Sequence, residues 1–316
     1  MAKLRVAVLM GGRSSEHEVS LDSARSVIEG LDPERYEIVP IEIPRQGPWL
    51  LDAKEAARLD VVFPVLHGPF GEDGAVQGLL ELAGVAYVGA GVAGSALAMD
   101  KDLFKAVMRD KDIPVARSVT LRAGDSTAES PIGVPCVVKP ARLGSSVGIS
   151  MVRSGADFPA ALELAFAHDE KVLVEELLDG VEVECSVLGN ADPIASAPGE
   201  IVPLASDWYD YEAKYAEGGM DLIIPPRVSA ESATRVQELA VAAFVASDCE
   251  GMARVDFFVR PDGEVVVNEL NTIPGFTATS VYAKLFEASG IPYPELLDRL
   301  VALALERRDR RAALRY

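Results

Sequence analysis

Residues 254–271 read RVDFFVR, then PDG, then EVVVNELN. Two runs rich in β-branched and aromatic residues flank Asp262-Gly263, and this pattern predicts a β-hairpin. If the dipeptide forms a two-residue turn, the register sets two polar pairs opposite each other: Asp256 with Glu269, and Arg254 with Asn271. Because side chains alternate between the faces of a strand, all four share one face of the hairpin.

The shared face of this hairpin carries two carboxylates, an amide oxygen and a guanidinium. Hard oxygen ligands of this kind suit Mg²⁺ that also holds nucleotide phosphates, and an arginine beside them can stabilise phosphoryl charge. A solvated polar face on an edge hairpin is the alternative interpretation. The turn-forming loop at 272–277, which reads TIPGFT, follows at once and favours a ligand site.

The bulk composition indicates a globular chain that does not bind nucleic acid. The 316 residues are enough for two or three compact units, and 49% of them are hydrophobic. The formal net charge is −19, from 30 basic and 49 acidic residues. Nucleic-acid binding requires a basic surface, so this charge argues against that class. A nucleotide site needs only a few local cations and stays open.

Neither the cysteines nor the apolar segments indicate export or membrane insertion. Cys136, Cys185 and Cys249 show no disulfide framework or metal spacing, which predicts a reducing cytoplasm. The N-terminus lacks the long apolar segment of a secretory signal. The uncharged run at 82–99 approaches membrane-spanning length, but its four glycines indicate a strand, a turn and a helix start.

Strands and helices alternate over the first hundred residues, and this order predicts a doubly wound parallel sheet. After Asp100, shorter strands and a helix at about 157–167 predict a small α+β unit. A larger α+β unit follows from Glu182. Its pattern predicts a strand at 194–201, a polar loop at about 207–221, a helix near 230–246 and a last helix at about 293–305.

Two loops end predicted parallel strands of the first unit, where open α/β sheets bind ligands. The first, GGRSSEHEVS at 11–20, contains neither G-x-G-x-x-G nor H-E-x-x-H. An ordinary strand-to-helix turn capped by Ser20 is an equally good interpretation of it. The second, VLHGPFGEDG at 65–74, combines His67 with two carboxylates and three glycines, which favours a functional loop.

A glycine-serine loop, GSSVG at 144–148, follows a predicted strand that ends in Lys139-Pro140. Its backbone N–H groups and hydroxyls, together with the lysine charge, suit phosphate oxygens. It is not a Walker loop, because no Gly-Lys-Ser/Thr sequence opens a helix there. Glu175 and Glu176 end another strand, where they would meet an adenine amine or ribose hydroxyls; taken alone, they are typical surface charges.

The segment WYDYEAKY at 208–215, with Gly218-Gly219 after it, mixes aromatic and charged side chains. This composition predicts a mobile lid that closes over a site. A surface loop with its aromatic side chains tucked inward is the alternative.

Taken together, these segments resemble the D-alanine–D-alanine ligases of the ATP-grasp superfamily. The resemblance extends over essentially the whole chain, in ordered motifs at 11–21, 67–68, 71–74, 99–101, 138–140, 144–148, 209–215, 254–256 and 268–277. It implies an α/β ATP-grasp fold of three domains. These are an N-terminal Rossmann-like domain at 1–98 that binds the first D-alanine, a small α+β central domain at 99–181, and a larger α+β C-terminal domain at 182–316 with the metal site and the lid.

The resemblance implies ligation of two D-alanines to D-alanyl-D-alanine for peptidoglycan precursor synthesis. ATP would phosphorylate the first carboxylate to a D-alanyl phosphate, and the second amine would displace phosphate through a tetrahedral intermediate. The implied cofactors are ATP and two Mg²⁺ or Mn²⁺ ions, with a monovalent cation such as K⁺ left open. The implied setting is a cytoplasmic homodimer whose partners are D-alanine and ATP, with no nucleic acid and no membrane.

The resemblance also assigns roles to individual residues. The catalytic group would be Glu16, Ser145, Tyr215, Arg254 and the Gly275 backbone, with Glu16, Ser145 and Tyr215 in a hydrogen-bonded triad. The D-alanines would contact Glu16, His67, Ser280 and Val281. The nucleotide would contact Lys101, Lys139, Ser146, Glu175, Leu178, Glu182, Trp208 and Lys214. The metal ions would bind Asp256, Glu269 and Asn271.

Three other functions are weaker interpretations. The nearest is a D-alanine–D-lactate ligase, but the loop at 211–215 favours the dipeptide enzyme. A nicotinamide-dependent oxidoreductase would explain only the first unit and leave the hairpin face unused. A non-catalytic nucleotide sensor would need one of the four polar hairpin residues to be lost, and all four are present.

Overall fold

The computed structural model describes residues 2–47, 49, 53–125, 127–203 and 220–315. The first sheet has four parallel strands in the order β2-β1-β3-β4: β1 Leu4–Gly11, β2 Tyr36–Ile43, β3 Val61–Pro64 and β4 Ala86–Tyr87. The helices of this part are α1 His17–Gly30, α2 Ala53–Ala56, α3 Ala75–Ala83 and α4 Val92–Met99.

Strand β1 shows why this sheet is covered on both faces. Val6 and Val8 pack into one core with α1, whereas Ala7 and Leu9 pack into a second core with α3. All four side chains are fully buried. A strand buried on both sides reads as a continuous apolar run, as in parallel sheets. The predicted doubly wound parallel sheet is therefore confirmed.

The second sheet is antiparallel, with strands in the order β5-β8-β6-β7: β5 Ser118–Arg122, β6 Cys136–Pro140, β7 Ser150–Val152 and β8 Lys171–Glu176. Two helices flank it, α5 Lys101–Asp110 and α6 Phe158–Phe166, the latter preceded by a 3₁₀ turn at Gly155–Asp157. Asp100 caps α5 by accepting a hydrogen bond from the Leu103 N–H, which fixes where this lysine-bearing helix begins.

The third sheet is also antiparallel, in the order β12-β11-β9-β13-β14 with β10 beside β9. Its strands are β9 Val181–Gly189, β10 Ile194–Ala195, β11 Gly199–Pro203, β12 Met220–Ile223, β13 Gly251–Val259 and β14 Val265–Asn271. The helices of this part are α7 Ala230–Ala246, α8 Val281–Ala288 and α9 Tyr293–Ala312. Within the described ranges, no helix combines the length and apolar character needed to span a bilayer.

A single hydrophobic core joins the first sheet to the C-terminal helices and fixes the loop that follows the hairpin. Phe276 of that loop is fully buried, and its ring centroid lies 5.5 Å from that of Phe63 on β3 and 5.5 Å from that of Tyr282 on α8. The 272–277 loop is thus held between the first sheet and α8. This packing sets the hairpin beside the carboxyl ends of the parallel strands.

Four sequence predictions about elements were wrong. The predicted strand at 194–201 is two strands, β10 and β11, and Pro198 between them has no N–H for a ladder. Strand β12 lies partly in the predicted polar loop. Helix α8 was missed although Lys284 and Glu287 form an exposed face opposite its buried side chains, because it has only eight residues and follows the motif loop at 272–277 closely. Helix α9 extends seven residues past the predicted end at 305, through an arginine-rich stretch.

The β13–β14 hairpin has the predicted polar pairs but a different turn. Asp256 pairs with Glu269 and Arg254 pairs with Asn271, as predicted. The predicted two-residue turn was wrong: Arg260 N–H donates to the Glu264 carbonyl at 2.8 Å, which closes a three-residue loop at 261–263. A register shift beside Asp256 compensates for the added loop residue. The four polar side chains therefore still face each other.

Candidate active site

The bulge in β14 brings an unpredicted residue into the site. Asp256 pairs with Glu269 and Phe257 pairs with Val267, which leaves Asn268 as the extra residue of β14. Its carbonyl accepts a hydrogen bond from Lys105 Nζ at 3.1 Å, and its side-chain oxygen accepts one from Lys139 Nζ at 3.5 Å. The bulge thus lets two consecutive residues of β14, Asn268 and Glu269, both contact the lysines of the site.

Arg254 lies between carboxylates on β13 and β9. Its guanidinium donates to both oxygens of Asp256, at 2.7 and 2.8 Å, and its Nε lies 3.0 Å from Glu184 Oε2. The Asn271 amide also donates to Asp256, at 2.9 Å. Glu184, which is almost fully buried opposite Asp256, was missed by the sequence reasoning. The alternation of acidic residues along β9 was the signal for it.

The oxygen donors on the hairpin fit a divalent metal that is shared with phosphate. Among the residues that the structure describes, no three His, Cys, Asp or Glu side chains gather into a metal cluster. The hairpin instead offers two carboxylates and one amide oxygen, from Asp256, Glu269 and Asn271. Mg²⁺ is commonly bound by one or two carboxylates plus substrate phosphates. The donor set fits such an ion when phosphates complete its shell.

Two lysines on α5 reach the bulged strand. Lys101 Nζ lies 3.3 Å from Glu269 Oε2 and donates to the Leu143 carbonyl at 2.6 Å. Lys105 is four residues later on the same helix face and reaches Asn268, one residue before Glu269. The sequence reasoning found Lys101 and missed Lys105, although their spacing of four was the available signal.

Glu175 lies between two cations. Its Oε2 is 2.7 Å from Lys139 Nζ, and its Oε1 is 3.2 Å from Lys105 Nζ. Burial alone would raise the pKa of Glu175, but the two ammonium groups outweigh it and lower that pKa. Burial also lowers the pKa of Lys105 to about 8, against the opposing effect of Glu175. The glutamate is therefore held as a carboxylate at neutral pH.

Glu175→Gln should destabilise the protein by about 3 kcal/mol near pH 6, because it leaves buried lysines without a carboxylate partner. The difference in free energy of unfolding between the wild type and the variant should be full above the ordinary glutamate pKa of 4.5. It should shrink as pH falls through the lower pKa of Glu175 in the folded state. Urea unfolding of both proteins between pH 3 and pH 6 measures this. Glu176→Gln, at a less buried neighbour, is the matched control. A stability difference independent of pH would contradict the charge assignment.

The glycine-serine loop meets the first unit through a hydrogen bond. Ser145 Oγ donates to Glu16 Oε1, so a loop of the second unit contacts the start of α1. Ser145 and Ser146 both have positive φ, at 53° and 58°, a region that few residues with a side chain occupy. The loop thus presents successive backbone groups in a strained turn. The predicted third member of this triad, Tyr215, lies outside the described residues.

His67 is buried next to two carboxylates at the end of β3. Its Nδ1 donates to the Ile273 carbonyl at 2.9 Å, and its Nε2 lies 3.1 Å from Ser23 Oγ. Burial alone would lower the pKa of His67, but Glu72, Glu16 and the Ile273 carbonyl outweigh it and raise that pKa. The ring is held rigidly, and it ties the first sheet to the loop after the hairpin.

The remaining predicted site residues lie on several elements, and some fall outside the described residues. A Cβ on Gly275 would lie 3.4 Å from Ser280 Oγ, so the two residues are neighbours. Ser280 precedes α8, which begins at Val281, and accepts a hydrogen bond from the Thr277 N–H at 3.0 Å. Leu178 lies between β8 and β9, and Ser146 and Glu182 lie on the loop and on β9. Trp208, Lys214 and most of the predicted lid at 207–221 lie outside the described residues.

The sequence matches two family models in chain order. The model described as D-ala D-ala ligase N-terminus matches residues 5–59 and 51–90, and the one described as D-ala D-ala ligase C-terminus matches residues 107–302. The chain belongs to the D-alanine–D-alanine ligase family. The resemblance inferred from the motifs is confirmed.

Individual relatives agree with this family membership over nearly their whole length. A D-alanine–D-alanine ligase of Solibacter usitatus is 47% identical over 323 residues, covering 99% of each chain. The solved D-alanine–D-alanine ligase of Coxiella burnetii is 38% identical, with a TM-score of 0.88 over 99% of this chain and 97% of that one. The VanG D-Ala:D-Ser ligase of Enterococcus faecalis is also 38% identical, with a TM-score of 0.86 over 96% of this chain and 100% of that one. The predicted ATP-grasp fold is confirmed.

Proposed function

We propose that this chain is an ATP-dependent, ADP-forming ligase that joins two D-alanines into D-alanyl-D-alanine for peptidoglycan synthesis. The observation that carries this function is the hairpin face. It carries Arg254 and the predicted metal ligands Asp256 and Glu269, and Glu269 lines one cavity with Lys101 and with Gly144, the first residue of the glycine-serine loop. A carboxylate is a poor electrophile, and transfer of a phosphoryl group to it supplies a leaving group. The positive groups gathered here are those that phosphoryl transfer needs.

The first D-alanine would lie between the first sheet and the glycine-serine loop. Glu16 would hold its ammonium group, and the Ser145 hydroxyl keeps that carboxylate oriented. His67, whose pKa is raised, would lie near the substrate carboxylate and offset its charge. Both side chains are buried, so water would be excluded when the site closes.

The nucleotide would lie between the second and third sheets. Lys101, Lys139 and Ser146 would contact its phosphates, while Glu175, Leu178 and Glu182 would contact the base and ribose, with Trp208 and Lys214 from the lid. Mg²⁺ or Mn²⁺ ions, held by Asp256, Glu269 and Asn271, would offset phosphate charge during transfer. A K⁺ ion stays an open part of the proposal.

The second D-alanine would enter beside Ser280 and Val281, where the start of α8 would hold its carboxylate. Its neutral amine would attack the D-alanyl phosphate. Arg254 and the Gly275 N–H would stabilise the tetrahedral oxyanion before phosphate leaves. Tyr215 would complete the triad with Glu16 and Ser145 as the lid closes.

The wider setting follows from the same family. We place the domain boundaries at 98/99 and 181/182, and each resulting segment contains one of the three sheets, apart from Val181, the first residue of β9, which falls in the second segment. The three buried cysteines are unpaired, which fits a reducing cytoplasm. A homodimer with no membrane or nucleic-acid partner is part of the same proposal.

One experiment tests both product and mechanism. The enzyme, ATP and Mg²⁺ are incubated at pH 7 with equal D-alanine, D-serine and D-lactate, the D-alanine carrying ¹⁸O in its carboxylate. We expect mainly D-alanyl-D-alanine, with ¹⁸O in the released phosphate. A mainly D-alanyl-D-serine or depsipeptide product would change the acceptor assignment. Label found only in the dipeptide would exclude the acyl phosphate. L-alanine is the inactive control.

A further inference from the structure

A closed ring of contacts among four residues lies behind the bulged strand, and it closes through the main chain of Asn268. Lys105 Nζ is 3.2 Å from Glu175 Oε1, and Glu175 Oε2 is 2.7 Å from Lys139 Nζ. Lys139 donates to the Asn268 side chain at 3.5 Å, and Lys105 donates to the Asn268 carbonyl at 3.1 Å. The ring therefore connects α5, two strands of the second sheet and the bulge of β14.

The two lysines of this ring differ in access. The side chain of Lys139 retains 6% exposure at the edge of the site, whereas the side chain of Lys105 has none. Of the two, Lys139 is therefore the lysine that a nucleotide would contact, and Lys105 lies behind it. Each carboxylate oxygen of Glu175 contacts a different lysine. If Lys139 turns toward a phosphate group, the contact between Lys105 and Glu175 remains.

We propose that Lys105 is a positioning residue for the nucleotide, which fixes Glu175 as an acceptor for the amine of adenine and holds the Asn268 bulge beside it. This inference rests on the proposed function, because it needs ATP in the site. A carboxylate accepts a hydrogen bond from an amine and repels a carbonyl oxygen. The Lys105 contact therefore makes the site select a 6-amino purine over a 6-oxo purine.

The test compares ATP with inosine triphosphate, which carries a carbonyl oxygen in place of the amine. The wild-type protein should prefer ATP in kcat/KM. In Lys105→Met this preference should fall at least about tenfold. Without Lys105 the Glu175 carboxylate is no longer fixed in position, so it repels the carbonyl oxygen of inosine triphosphate less strongly. The KM for D-alanine should stay within about twofold, since Lys105 contacts no predicted D-alanine ligand.

Lys171→Met is the matched control. Lys171 is also almost fully buried and pairs with two carboxylates, those of Asp100 and Asp102 at 2.5 and 3.3 Å. Among the residues that the structure describes, the Lys171 side chain forms no hydrogen bond or ion pair with Glu175 or Asn268. Its loss should lower stability and leave the ATP preference unchanged. Loss of preference in both variants would indicate general destabilisation and would overturn the proposal.

A double variant keeps the test decisive if Lys105→Met does not fold. Lys105→Met/Glu175→Gln removes both charges and is compared with Glu175→Gln alone. Equal ATP preference in the two proteins supports action through Glu175, and a further loss in the double variant overturns it. Calorimetric binding of ATP and inosine triphosphate gives the same comparison without turnover. A calorimetric ATP preference that is lost in Lys105→Met, in a protein that makes no dipeptide, would contradict the proposed function and still support the role of Lys105.

Discussion

Arg254→Met should lower kcat by about 100-fold or more, because it removes a fixed cation from the place where phosphoryl and oxyanion charge develop. The guanidinium is positioned by Asp256 and Glu184 before any substrate binds, so it needs little reorganisation during the reaction. The substitution should weaken binding of the substrates in their ground states much less than it weakens binding of the transition state. The KM values for D-alanine should therefore change by less than about fivefold. Steady-state kinetics with each substrate varied in turn measures this.

The control for Arg254 is an arginine that pairs with a carboxylate of the same sheet from the loop before α7. Arg227 makes a bidentate contact with Glu200 on β11, with Nε 3.1 and 3.0 Å from the two oxygens. Arg227→Met removes the same kind of pair away from the hairpin face and should leave kcat within about twofold. Circular dichroism on both variants separates misfolding from lost chemistry. Wild-type turnover in a folded Arg254→Met protein would remove Arg254 from the catalytic group.

The sequence predicted the correct pairing of the four polar hairpin residues although it predicted the wrong length for the turn. The Asp-Gly signal places a turn but does not distinguish a two-residue from a three-residue loop, since Gly263 has a positive φ of 90° in the loop that forms. The compensating bulge depends on Asn268 meeting Lys105 and Lys139, which are more than 120 residues away along the chain. No local pattern contains that information.

Burial explains the other differences between sequence and structure. The motif loops around Glu16, His67 and Ser145 could be found because they combine glycine with polar groups after apolar strands. Lys105 and Glu184 had weaker signals, a spacing of four from Lys101 and the acidic alternation along β9, because a charged residue between apolar neighbours usually indicates a solvated face. The tertiary structure shows that these two charges have partners at about 3 Å, which neither signal could identify. Helix α8, which the sequence analysis missed, is likewise buried by residues distant in sequence, including those of the first sheet.

Glu269→Gln should reduce both turnover and metal affinity, because it replaces a charged oxygen donor with a neutral amide. We expect kcat to fall by about 100-fold and the affinity for Mn²⁺, in the presence of a non-hydrolysable ATP analogue, to fall at least tenfold. Folding should be largely intact, since Glu269 is only partly buried. Turnover is measured over a Mg²⁺ titration, and Mn²⁺ binding is measured by electron paramagnetic resonance.

Lys101 makes a second explanation for such a loss testable. It lies 3.3 Å from Glu269 and is also predicted to bind phosphate, so the variant could act by misplacing this lysine. Binding of the ATP analogue without metal separates the two causes: it should stay unchanged if Glu269 serves the metal and should weaken if Glu269 serves Lys101. Glu264→Gln, beside the turn and paired with Arg260, is the control and should behave as wild type. Normal Mn²⁺ affinity and normal turnover in Glu269→Gln at limiting metal would place the metal ions away from this hairpin.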